Sequence, residues 1–293
     1  MIDTLARWMR RCIYSYRWRY IGYGLNSIIS LLNRNKKYEV GKTMIHDYDV
    51  DLNIVLNPGE HIGNRIYFNG YYEGKEVWVL KKILKRDDVI VDVGANIGSW
   101  TLLFGKIAEM GKVYAIEPST LFINLTSNID LNQSLHNVDS YRLAFGNSKG
   151  LVIEDDTYRR EHNEGMIRFL PGNTIEEPRA VEMTTLDDWA EVNNIQRLNW
   201  LKIDTEGMEY QILQGGAKTL NTFQPNLLLE VNNENLKFYN SSASALYALI
   251  YSHGYRYFYS AGKRGELKDS VFSADTNFAE PQNIFCSVNP INL

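Results

Sequence analysis

Hydrophobic and polar positions change period several times along this chain, and each change predicts an element. Ile2, Leu5, Trp8, Met9, Cys12, Ile13 and Tyr16 fall at helical spacing, with Arg7, Arg10, Arg11 and Arg17 largely off that stripe. Gly22 and Gly24 interrupt, and Leu25, Ile28, Ile29 and Leu32 predict a second short helix. From Tyr48 to Leu56 apolar and polar residues alternate, as in an amphipathic strand stopped by Asn57-Pro58-Gly59, with Ile66 to Phe68 as its expected hairpin partner. Val77, Leu80, Ile83 and Leu84 define a helix. From Val89 onward strands and helices alternate, which argues for a parallel sheet. Strands are expected at 89–93, 112–116, 140–144, 200–203 and 226–229. Helices are expected over about 98–109, 121–129, 186–192 and 207–213, the last capped by Gly215-Gly216. Residues 150–183 break the rhythm with two strand-like runs, Leu151 to Ile153 and Met166 to Leu170, around a charged stretch. Such an insertion at the carboxyl edge of a sheet is where substrate contacts are expected, with a solvated loop as the plainer alternative. A helix at 246–251 and strands at 255–259 and 283–288 close the chain, the strands as a terminal hairpin.

Charge divides the chain unevenly. Residues 1–37 hold eight Lys and Arg against Asp3 alone, a net of +7, so the remainder carries −11 of the overall −4. An acidic body would be repelled by phosphates, which argues against nucleic acid as a partner. The basic arm fits either a helical cap with solvated arginines or an anchor on an anionic membrane surface. No apolar run is long enough to span a bilayer and no signal-peptide pattern is present, so a cytoplasmic protein is expected, with peripheral contact at the inner membrane face as the sharper alternative. Cys12 and Cys286 lie far apart, and the five histidines are scattered without zinc-type spacing.

The chemistry concentrates at strand ends. Val89-Ile90-Val91-Asp92-Val93-Gly94-Ala95-Asn96-Ile97-Gly98 joins a β-branched run, an acid and a glycine turn that feeds a helix. Gly94 and Gly98 do not make the G-x-G-x-x-G turn of a dinucleotide site. The turn suits a ligand without phosphates, such as S-adenosylmethionine (SAM). Asp92, Glu117, Asp204 and Glu230 all end predicted parallel strands, and in an open α/β sheet those ends line one crevice. Glu117 is placed to take a ribose diol, or to cap the following helix. Asp92 is expected to order the glycine turn by accepting its N–H groups, and Asn96 to adopt a left-handed turn and bond a bound carboxylate. Asp204 could hold an ammonium, act as general base or ligate a cation. Glu206 and Glu209 serve either the site or a helix N-terminus. Glu73 is a turn acid that could lie near the cofactor. Asp204 and Glu230 together could hold a divalent ion, but no histidine joins them and no metal is expected.

VIVDVGANIGSWTLLF at 89–104, VYAIEPS at 113–119, TLDDW at 185–189, LKIDTEGMEYQILQGG at 201–216 and LLLEV at 227–231, with GYYE upstream at 70–73, resemble the motif series of the FkbM-type SAM-dependent methyltransferases. The resemblance covers about residues 65–260 and leaves the first 60 residues and the insertion outside the motifs. It implies a class I methyltransferase fold and O-methylation, often of sugar or polyketide hydroxyls. Carried over by motif, Gly94, Ala95, Asn96, Gly98, Glu117 and Pro118, with Asp92, Glu73 and Asp204, should hold SAM, and Asp204 to Gly207 should floor the site. Asp204 and Glu206 are the expected catalytic carboxylates, acting on a small-molecule or glycan acceptor.

The fold expected is therefore α/β: a Rossmann-like, mostly parallel sheet with a terminal antiparallel strand, preceded by an N-terminal helical segment. The expected division is an arm at 1–37, an accessory β-hairpin and helix at 38–85, and a methyltransferase domain at 86–293 that carries the insertion. Two alternatives stand beside this reading. One is a nicotinamide-dependent oxidoreductase, disfavoured by the missing third glycine. The other is a non-catalytic module at a membrane surface, which the intact motif acids speak against.

Overall fold

The first helix, α1 (Ile2–Tyr14), turns Ala6, Met9 and Ile13 into the core and leaves Leu5 and Trp8 exposed. The stripe read from the sequence is thus rotated, because Arg10 belongs to the inward face. Its guanidinium is 3% exposed, pairs with Asp47 at 2.7 Å and donates to the Tyr67 carbonyl at 2.8 Å. A computed structural model describes residues 2–15, 41–155, 167–172, 179–276, 278 and 280–291, so the second helix expected in the arm lies outside the described residues.

The expected single strand at 48–56 is instead a hairpin, β1 (Thr43–Tyr48) against β2 (Leu52–Leu56). Asp49 and Val50 turn at positive φ between them. Ile66 to Phe68 do not return as a strand. They lie in helix α2 (His61–Asn69), where Ile66, Tyr67 and Phe68 are all buried, and α1 packs directly on this helix. Three consecutive buried residues imitate a strand in the sequence, but here the apolar surface comes from several directions at once.

Helix α3 (Gly74–Ile83) leads into β3 (Val89–Val93), α4 (Ser99–Ile107), β4 (Lys112–Ile116), α5 (Phe122–Asp130) and β5 (Val138–Tyr141). Then come β6 (Ala144–Gly146), outside the expected insertion, and from the insertion β7 (Gly150–Glu154), β8 (Phe169–Pro171) and β9 (Ala180–Thr185), which together form a separate sheet in the order β6-β9-β7-β8. The solvated-loop alternative therefore fails for its described part, although Met166 and the charged stretch from 156 lie outside the described residues. Helix α6 (Leu186–Val192) starts at Thr185, whose hydroxyl accepts the Asp188 N–H at 3.0 Å. Next come β10 (Trp200–Ile203), α7 (Glu209–Gln214), α8 (Ala217–Phe223), β11 (Asn226–Val231), α9 (Asn233–Phe238) and α10 (Ala243–Ser252). Gly215 caps α7 as expected, in right-handed conformation, its N–H donating to the Gln211 carbonyl at 3.0 Å. It and Gly216 let α7 and α8 approach other chain segments, since a Cβ on Gly215 would lie 2.1 Å from the Gly146 carbonyl oxygen. Strands β12 (Tyr257–Ala261), β13 (Leu267–Asp269) and β14 (Gln282–Ser287) close the chain.

The main sheet runs β13-β12-β14-β11-β10-β3-β4-β5, with β11, β10, β3, β4 and β5 parallel and β14 antiparallel to β11. The α/β class, the mostly parallel order and the antiparallel terminal strand all match expectation; β13 was not foreseen. Strand β11 extends through Glu230 to Val231 because β14 pairs with it there, Glu230 opposite Asn283. Alternation along the strands divides two cores. Ile90, Val113, Trp200, Leu228 and Phe285 face α1 to α4 and the hairpin, while Val91, Val93, Leu201, Ile203 and Leu229 face α6, α7, α8 and α10.

Arg10 seats α1 on the first of these cores, and removing one partner of a buried pair leaves the other uncompensated. Arg10→Met is expected to lower the unfolding free energy by about 3 kcal/mol in urea titrations. A loss below about 0.5 kcal/mol would mean that apolar contacts alone hold the helix.

Candidate functional site

The parity that divides the cores also builds the site. Asp92, Lys202 and Glu230 continue the Ile90, Trp200 and Leu228 face toward the carboxyl ends of their strands, and Asp92 sits directly opposite Lys202 in the parallel register. Beyond β3 the chain reverses at Gly94, with φ of +78°. A Cβ there would lie 1.8 Å from the Asp204 carbonyl oxygen, so only glycine lets the two strand ends lie this close. Gly94 and Ala95 donate their N–H groups to the Ile116 carbonyl at 2.9 and 3.1 Å. Asn96 takes the expected left-handed conformation, φ +54°, and its own side-chain oxygen accepts the Ile97 N–H at 2.9 Å. Gly98, at φ +89°, opens α4 and packs on Leu125 behind the turn.

Glu117 rather than Asp92 orders this turn. Its carboxylate accepts the Asn96 N–H at 2.7 Å and the Ser119 N–H at 2.8 Å, so one side chain ties the two loops together. Burial raises its pKa above the ordinary carboxylate value, against the opposing effect of those donors. Asp92 is fully buried, accepts the Thr101 hydroxyl at 2.7 Å and pairs with the Lys202 ammonium at 3.2 Å. Strand parity puts it on the same sheet face as Lys202, and its partners are that ammonium and Thr101 rather than the turn's N–H groups. Lys202 also lies 3.5 Å from Asp204. Burial works against its charge, but Asp92, Asp204 and Glu73 more than offset this and hold its pKa above the ordinary lysine value.

Around Asp204 the remaining carboxylates differ in what holds them. Glu73 turns at φ +51° ahead of α3 and accepts the Trp100 indole N–H at 3.1 Å and the Asn283 amide at 2.5 Å. Glu206, at φ +55°, accepts the Asn235 amide at 2.6 Å. Burial, then the Asp204 charge, pushes each of these two up to about 8. Glu209 is buried under the loop, where it accepts the Thr205 N–H and hydroxyl, both at 3.0 Å, and the Gly207 N–H at 3.3 Å. Burial pushes it up to about 7. Glu230 has no hydrogen-bond donor among the described residues, and burial followed by repulsion from Asp204 and Glu206 raises its pKa.

These strand ends enclose a cavity of about 290 Å³. Gly94, Ala95, Asn96, Glu117, Pro118, Asp204 and Glu206 line it, whereas Asp92, Gly98 and Glu73 stand behind its wall. Ile116, Pro118 and Phe145 mark an apolar end beside β4; Asp204, Glu206 and Glu230 mark an acidic end beside β10 and β11. The insertion closes one side through Val152, Ile167, Phe169 and Met183. Sequence reasoning missed Lys202, whose charge inside the run Trp200 to Ile203 was a signal. It also missed Tyr72, which lies inside the GYYE motif, and His61 and Asn232, which line the cavity but carry no pattern. Among the described residues, no group of three or more His, Cys, Asp or Glu is arranged to hold a metal ion.

A family model for the methyltransferase FkbM domain matches residues 92–257, more than half of the chain and the whole span from Asp92 through the acidic end of the cavity. The chain belongs to the FkbM methyltransferase family. Its fold is accordingly the class I methyltransferase sheet that the resemblance implied. Curated relatives include Methyltransferase 1 of Beauveria bassiana, 32% identical over 152 residues, which cover 44% of this chain and 58% of the relative. The 2-O-methyltransferase NoeI of Sinorhizobium fredii is 25% identical over 158 residues, 48% of this chain and 63% of the relative. The chain thus spans about three-fifths of the length of these relatives. Among solved structures, a methyltransferase FkbM from Methylobacillus flagellatus has 14% identity and a TM-score of 0.44, over 76% of this chain and 52% of that one. A putative methyltransferase from Streptococcus mutans in complex with SAH has 12% identity and a TM-score of 0.40, over 72% and 94% of the two chains.

The buried carboxyls set a pH dependence. Glu73 and Glu206 keep their protons in the folded chain up to about pH 8, whereas the unfolded chain loses them near 4.5, so folding binds protons between those values. Stability of the ligand-free protein is therefore expected to fall as pH rises from 5.5 to 8, within the window those values define. Glu206→Gln should flatten that slope in thermal unfolding scans. A wild-type midpoint that rises across the same interval would contradict the assignment.

Proposed function

We propose that this chain transfers a methyl group from SAM to a hydroxyl oxygen of a neutral, sugar-like acceptor. The observation that carries the reading is the cavity's polarity. Its apolar end abuts Glu117, and its acidic end lies across the glycine turn. That arrangement fits an adenosyl group with a ribose diol at one end and a cationic sulfonium at the other. Bound SAM would supply a methyl group on a sulfonium, a centre whose thioether leaves readily. Gly94, Ala95 and Asn96 would shape the backbone wall, Glu117 would accept the ribose hydroxyls, and Pro118 would border the base. Behind the wall, Asp92 would hold Lys202, and Glu73 would fix Trp100 in the lining.

Lys202 holds Asp204 within ion-pair distance, which keeps that carboxylate aimed at the acidic end. Asp204 would accept the acceptor's hydroxyl proton as the oxygen attacks, or Glu206 would once the sulfonium's charge has displaced its own proton. Most of the acceleration would come from alignment of the reacting atoms in a water-poor cavity. Oxygen as nucleophile is supported by the likeness to NoeI, a 2-O-methyltransferase. The acidic lining supports a neutral acceptor, since an anionic one would be repelled.

Tritium transfer from methyl-labelled SAM into a panel of neutral oligosaccharides and lipid-linked sugars tests this reading. Label is expected in an alkali-stable methyl ether, and Asp204→Asn is expected to lower kcat by about 100-fold. Transfer to nitrogen or carbon acceptors alone would overturn the O-methylation reading, and NAD binding without SAM binding would overturn the methyltransferase reading.

A further inference from the structure

The acids at the cavity's acidic end are not equivalent. Glu206 is engaged by Asn235, Glu73 by Trp100 and Asn283, and Asp204 by Lys202. Glu230 alone among them lines the cavity without a donor or cation of its own among the described residues. Its backbone is fixed all the same, because β11 pairs with β10 on one side and β14 on the other. A partnerless carboxylate carried on such a strand and facing a cavity is most stabilised by a ligand that brings positive charge.

Building on the SAM reading, we propose that Glu230 is the residue by which this cavity recognises the positive charge of the sulfonium, and so separates SAM from its neutral product S-adenosylhomocysteine (SAH). Every element packed around Glu230 contributes to the field it feels. From β10 come Asp204 and the Lys202 ammonium, the latter already matched by Asp92. The loop and α7 bring Glu206 and Glu209, and Glu73 and Tyr72 approach from the segment ahead of α3. Arg168, from the insertion, faces Glu206, donates to Asn235 at 2.6 Å and stacks on Phe238. Acids outnumber cations in this set, so the acidic end holds protons at neutral pH, as the values of about 8 at Glu73 and Glu206 require.

A cation that enters this field lowers those pKa values and drives a proton to solvent; a neutral ligand does not. The same linkage makes SAM bind more tightly as pH rises from about 6 to about 8, while SAH affinity stays nearly level. It also favours departure of the product, which has lost the charge that Glu230 recognises.

Calorimetry of the full chain with SAM, SAH and the cationic analogue sinefungin, each at pH 7 in phosphate and in Tris, reads the protons exchanged directly. SAM and sinefungin are expected to release a proton that SAH does not. Glu230→Gln is expected to weaken SAM and sinefungin roughly tenfold but SAH less than about twofold. The SAH affinity of the variant also reports whether its cavity is intact. Equal losses for all three ligands, unchanged affinity for SAM, or equal proton release by SAM and SAH would each overturn the role of Glu230. Failure of the wild-type protein to bind any of the three would instead overturn the SAM reading itself, and this inference with it.

Discussion

The ammonium of Lys202, buried between Asp92 and Asp204, is the constraint from which the site follows. A lysine inside a parallel sheet costs several kcal/mol of desolvation unless opposite charges meet it at once. The register of β10 on β3 supplies one, with Asp92 directly across, and the end of β10 supplies the other in Asp204. That register requires the two strand ends to touch, which the missing side chain of Gly94 permits. The glycine turn is then not a separate motif beside an acidic motif. One electrostatic contact and one steric allowance fix both, and Glu117 extends the tie to β4 by accepting N–H groups from either side.

Once those ends are fixed, the sheet order separates chemistry along the cavity. The end of β4 lies on one side of β3 and the ends of β10 and β11 on the other, so Glu117 stands apart from the Asp204, Glu206 and Glu230 cluster. The N-terminal elements and the insertion close this crevice from opposite directions. Glu73, held by Trp100 and Asn283, links the helical side to the terminal strand β14. The small insertion sheet brings Val152 and Phe169 against the lining. Burial strips the carboxylates of hydration, and this pushes Glu209 upward and, ahead of repulsion from Asp204, Glu73 and Glu206 as well.

Strand ends were legible because β-branched runs ending in an acid leave a strong local signature; the span Trp200 to Ile203 is read from sequence without error. The glycine turn, Glu117 and Asp204 were legible for the same reason. Partners were not. Asp92 carries the same letter whether it faces a turn or a lysine, and only the register across two strands distant in sequence decides between them. The rotated face of α1 failed similarly, because Arg10 turns inward only when Asp47 is there to meet it. Ile66 to Phe68 imitated a strand because burial from several sides erases periodicity. Glu230 was recognised as a strand-end acid, yet its lack of a donor is a fact about neighbours and not about sequence.

The central claim is that the Gly94 turn, the Glu117 loop and the Asp204 loop form one ligand-binding unit organised by the buried lysine. Backbone hydrogen exchange with and without SAH tests it most directly, since ligand contact and loop ordering both slow exchange. The account predicts added protection together at residues 94–98, 117–119 and 205–207, with little change in β12 and β13. Protection confined to one of the three loops, or found only outside them, would contradict it.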